Sequence, residues 1–124
     1  GNTGWAVVVG DTGWRDVTSL LKNGWTGSAY LRRTGAFVDM RLDALNAAAA
    51  TTGVPLTPPV GFQLGNLFTA RLLLHTTAAV IRRAFIAGTG LNIVGYVAGD
   101  VLYGSVSGLT SDDAWPTTLP GAAA

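Results

Sequence analysis

Few side chains in this sequence are equipped for covalent or acid–base chemistry. There is one histidine, His75, with no cysteine and no glutamate anywhere. A nucleophilic serine would need His75 as its base, and no serine stands in a G-x-S-x-G elbow. His75 also lacks a second histidine, a cysteine or a glutamate to share a metal ion, so a structural role is expected and no metal site. Glycoside hydrolysis needs two carboxylates of opposed pKa. The pairs Asp39/Asp43 and Asp112/Asp113 exist, each set in ordinary strand-surface or turn chemistry. Asp112-Asp113 could offer oxygens to calcium; following Thr110-Ser111, they read instead as a turn or cap. The expectation is a non-enzyme without catalytic residues, cofactor or metal.

Recognition chemistry is better represented. Tyr30, Arg32, Phe37, Asp39 and Arg41 fall on one side of an alternating run and form the candidate ligand-binding set. Aromatic surface beside an acid and two forked donors suits a polyhydroxylated ligand, with Asp39 accepting and the arginines donating. The same residue types suit a subunit interface, where Arg and Tyr are enriched. Trp5, Trp14, Trp25 and Trp115 could supply a flat face for a sugar ring or simply pack in a core or between subunits.

The run that positions the set is residues 28–45, SAYLRRTGAFVDMRLDAL. A fold-back at Thr34-Gly35, whose glycine tolerates a positive φ, sets Leu31 opposite Val38 and Ala29 opposite Met40. One face is then Ala29, Leu31, Val38, Met40 and Leu42; the other carries the candidate set, with Asp43. Strict alternation is the mark of a strand pair with one buried face. A second hairpin is expected over 83–97 around Thr89-Gly90, setting Ile86 opposite Ile93 and Phe85 opposite Val94. The shared Thr-Gly centre looks like a structural echo of the first. Further strands are expected at 5–9 (WAVVV), 69–75 and 101–109, with Leu20 and Leu21 in the core. Residues 46–52 read as a loop with up to one helical turn, and 54–61, with three prolines, as irregular. The tail from Thr110, with Trp-Pro and Leu-Pro, excludes helix and central strand.

A chain of 124 residues is one domain. Seventeen glycines, a single lysine and no glutamate argue for short strands and tight turns over surface helices. The expected fold is all-β: an antiparallel β-sandwich or jelly roll of roughly eight strands. A net charge of +1, with arginine pairs only at 32–33 and 82–83, carries no nucleic-acid signature. Charged residues are 12% and hydrophobic ones 48%, with mean hydropathy +0.37. No run of about 18–20 apolar residues supports membrane insertion, so burial between copies of the chain is the expected outlet for the excess. The opening at Gly1-Asn2, without a basic-then-apolar signal peptide, reads as a fragment cut from a longer protein.

Three separated stretches carry a family resemblance: GDTGWRDVT at 10–18 with Leu21, GWT at 24–26 followed by LRRTG at 31–35, and WPTTLPG at 115–121. In these the chain resembles the carboxy-terminal domain of minor tail proteins or tail fibres from tailed phages of actinobacteria. The resemblance implies a homotrimeric knob at the virion's tail tip, joined to upstream fibre segments and attaching to a host cell-wall polysaccharide. It marks no binding residues. A purely structural trimerisation or capping module, or a polysaccharide depolymerase, are the alternative functions.

Overall fold

The alternation of residues 28–45 becomes a long antiparallel hairpin. The computed structural model describes residues 10–65, 71–87 and 90–124. In it β2 (Thr26–Thr34) pairs with β3 (Phe37–Asn46). The buried face is the one expected: Ala29, Leu31, Val38, Met40 and Leu42 are all enclosed. The register differs by two residues, with Thr34 opposite Phe37 and Leu31 opposite Met40, because the reversal uses Gly35 and Ala36. Gly35 takes the positive φ (59°), while Thr34 is kept extended by a bridge to Asp11. A shift of two preserves which side each residue faces, so the candidate set stays together.

Alternation breaks once, after Leu42. The pairing of β3 skips between Leu42 and Leu45 on one side, and that of β2 between Thr26 and Ser28 on the other. Ala44 sits at φ 51° there. This is a bulge, and its extra residue returns Leu45 and Ala47 to the buried face.

Six further strands complete the fold among the described residues. They are β1 (Arg15–Asp16), β4 (Arg71–Thr76), β5 (Ile81–Ala87), β6 (Gly90–Val94), β7 (Val101–Leu109) and β8 (Ala122–Ala123). All pair antiparallel in one sheet of order β6-β5-β4-β7-β3-β2-β1-β8. The fold is all-β, as expected. The expected strand at 5–9 lies outside the described residues.

Two local expectations are corrected. In β5–β6, Ile86 pairs with Leu91 and Arg83 with Val94, so Gly90 opens a strand, whereas Gly35 makes a turn. Gly90 and Gly35 therefore hold different places, and the repeat is no structural echo. Leu20 is 37% exposed. A 3-10 turn over Thr18–Leu20 follows Val17, whose N–H donates to Ala29 O, so Val17 is buried and Leu21 packs beneath it.

The core lies between the sheet's inner face and the irregular crossing of residues 47–65. Leu56, Phe62 and Leu64 from that crossing join Met40, Leu74, Leu91, Leu102 and Val106 in one cluster. Carbonyls of that crossing accept hydrogen bonds from neighbouring segments. Gly53 O and Leu56 O accept from Ile93 N and Leu91 N, and Pro55 O accepts from Lys22 N. Trp25 is buried here, its indole Nε1–H donating to Thr52 O at 2.7 Å.

At the sheet's far end Asp100 accepts from Arg82 Nε at 2.7 Å and from Val97 N at 2.9 Å. The Arg82 hydrogen bond holds its carboxyl below the ordinary carboxylate value of 3.8. Folding thus favours the ionised form: this contribution is complete above the unfolded pKa and disappears as pH falls through the lower folded one. Urea midpoints are expected to fall from pH 5 to pH 3, and Asp100→Asn should flatten part of that slope. An equally steep slope in the variant would count against the ion pair.

Candidate functional site

The outer face of β2 and β3 is extended at one edge by β1, where Asp16 lies opposite Tyr30 and Arg15 opposite Leu31. The residue before this short strand, Trp14, is thereby delivered onto the outer face. β8 adds the last wall: Arg15 pairs with Ala123, and Ala124 N donates to Trp14 O at 3.1 Å. Arg15 fixes the approach of the tail by donating to Pro120 O at 3.0 Å and Gly121 O at 3.3 Å. The result is an open cleft of about 320 Å³ lined by Trp14, Tyr30, Arg41, Asp43 and Ala124.

Two guanidinium groups lie against the Trp14 ring, Arg41 at 5.0 Å and Arg32 at 6.0 Å from its centroid. Such contacts draw a cation to the electron-rich ring face and restrict where it points. They differ in what else they hold. Arg32 grips Asp11 in a bidentate pair, Nε to Oδ1 at 3.0 Å and Nη2 to Oδ2 at 2.5 Å. That pair raises the pKa of Arg32 and holds the Asp11 carboxyl below the usual carboxylate range, with the Gly13 N–H assisting. Among the described residues, Arg41 makes no ion pair. Its cross-strand neighbours are Tyr30 on β2 and Ser105 on β7.

Of the expected set, Tyr30 and Arg41 line the cleft. Arg32 stands beside it, engaged with Asp11, and Asp39 lies in register with Arg32 and with Ser107. Phe37 is separate: 43% exposed, it sits at the turn end between Thr34 and Leu109. Sequence reasoning put Asp43 on this face without counting it in the site, and it did not separate Trp14 from the other tryptophans. The available signal for Trp14 was its place between two turn-forming residues and Arg15-Asp16, one step from a strand edge. Ala124 had none, since its role depends on a hydrogen bond to Trp14, at the other end of the described chain.

The remaining candidates lie apart from the cleft. Trp115 lies under the guanidinium of buried Arg33, at 5.0 Å. His75 stacks on Tyr103 with ring centroids 5.8 Å apart. Asp112 is a long-range staple, its Oδ2 accepting from Gly61 N at 2.8 Å and Gln63 N at 3.0 Å. Trp5 lies outside the described residues.

In comparisons with known proteins, no family model, curated protein or solved structure matches the chain.

Proposed function

We propose that the domain is a non-enzymatic adhesion module that recognises a cell-surface glycan, carried at the tip of a phage tail or fibre as its resemblance to actinobacteriophage tail proteins implies. The observation that carries the reading is the open cleft joining Trp14, Tyr30, Arg41 and Asp43 on one sheet face. An indole and a phenol ring present apolar surface for sugar C–H groups, while Arg41 donates and Asp43 accepts hydrogen bonds. Strands hold Tyr30, Arg41 and Asp43, and Trp14 directly precedes one, which limits the ordering cost on binding. A host cell-wall polysaccharide repeats its epitope, so weak single sites suffice when several copies engage together.

Assembly into a homotrimer, with the strands layered as a sandwich or jelly roll, belongs to the same proposal. Its support is the exposed apolar side chains of β5 and β6, Ile81, Phe85 and Val94, on the sheet's outer face away from the cleft. A structural trimerisation module is the second reading, favoured by that same patch; it predicts an oligomer that leaves host cells unlabelled.

Fluorescently labelled domain on actinobacterial cells and glycan arrays tests the adhesion reading. Tyr30→Ala and Arg41→Ala are each expected to lower binding about tenfold or more, the scale of one buried ring or charged hydrogen bond, with unchanged unfolding midpoints. Undiminished binding by both variants would remove this cleft as the site.

A further inference from the structure

Arg41 and Arg32 share one indole but differ in what they offer a ligand. Arg32 spends its Nε and Nη2 donors on Asp11. Arg15 gives its donors to Pro120 O and Gly121 O. Arg41, exposed on the cleft wall, has no hydrogen-bond or ion-pair acceptor among the described residues. It is nonetheless held, because its guanidinium rests at 5.0 Å from the Trp14 centroid. A planar fork parked against a ring, with free in-plane N–H groups, matches the two oxygens of a carboxylate better than single hydroxyls. On β7 the residue opposite Arg41 is Ser105, exposed and short, which leaves that flank of the fork open.

Asp43 limits what can sit beside the fork. It follows Arg41 by two residues on β3, on the same side of the sheet, and lines the same cleft. It accepts hydrogen bonds from hydroxyl or amide N–H groups and repels a second anion. The arrangement therefore has one anion-binding end and one acceptor end.

We infer that the cleft selects a saccharide bearing a single carboxylate, such as a hexuronate or a lactyl- or pyruvyl-substituted sugar, with Arg41 gripping the carboxylate and Asp43 the neighbouring hydroxyl or amide. The inference rests on the glycan-adhesion reading and names its ligand class.

The test is an array of bacterial cell-wall oligosaccharides carrying uronate, lactyl or pyruvate-ketal groups. Each is printed beside its carboxyl-reduced form, with neutral and phosphodiester-linked glycans alongside. The full chain is expected to bind an acidic glycan about tenfold more tightly than its reduced counterpart, the factor one charge-assisted bond supplies. Arg41→Gln, with its unfolding midpoint checked, should bring that ratio to about one. Equal binding to acidic and reduced forms, or binding confined to neutral or phosphodiester glycans, overturns the carboxylate assignment and leaves glycan adhesion standing. Binding to no glycan on the array overturns the adhesion reading itself.

Discussion

Replacing Arg33 with methionine is expected to lower the unfolding free energy by about 3–5 kcal/mol, the range for stripping the partner from a buried polar network. Arg33 faces inward from β2 and is only 4% exposed. Its Nε donates to Gly35 O at 2.8 Å, Nη1 to Gly61 O and Ala114 O at 2.8 Å, and Nη2 to Asp112 O at 3.3 Å. One side chain thus ties the β2–β3 turn, the proline-rich crossing and the tail together. Burial pushes its pKa down, a measure of the desolvation those carbonyls offset. Methionine fills similar volume but leaves the four carbonyls without this donor. Arg33→Lys should recover only part of the loss, since its three donors sit on one atom and cannot span three chain segments. Urea unfolding followed by tryptophan fluorescence measures both; a loss below about 1 kcal/mol for the methionine variant would show that the tail is held by other contacts.

The second large effect is expected at Gly27. Its φ is +115°, and a Cβ there would lie 2.3 Å from Ala44 O and 2.8 Å from Ala44 C. Both are backbone atoms of the bulge, so neither can swing aside. Gly27→Ala is expected to destabilise by about 3 kcal/mol, combining backbone strain with overpacking. Gly13→Ala is the control: its φ is also positive, at +67°, but nothing lies within 4 Å of a Cβ. It should cost about 1–2 kcal/mol, the price of left-handed backbone alone. Equal losses in the two variants would mean that the bulge yields. Because Asp43 directly precedes Ala44, a displaced bulge should also weaken ligand binding, which separates this variant from a merely unstable one.

Period-two patterning made much of the fold legible. It assigned the buried face of the β2–β3 hairpin residue by residue, and it placed a strand at 101–109, where β7 runs. Turn chemistry was less decisive, because Thr-Gly is compatible with either residue of the pair entering the turn. The neighbouring chain settles it: Gly10 O accepts from Gly35 N, and Thr12 N donates to Arg33 O, both long-range contacts. Arg33 was hidden for a related reason. By parity it belongs on the apolar face, yet its satisfaction depends on carbonyls from three segments that sequence does not bring together. Three of the five cleft residues, Tyr30, Arg41 and Asp43, lie on the face that one strand pair made legible. The other two, Trp14 and Ala124, flank β1 and β8, two-residue strands whose pairing no local pattern announces.

The pairing of β1 with β8 has a consequence for how the domain comes into being. Core strands β2, β3 and β7 are complete by residue 109, but the cleft's outer wall is residue 124, seated against residue 14. On the ribosome the candidate cleft therefore cannot be completed until residues 122–124 have emerged and travelled back across the sheet to Trp14.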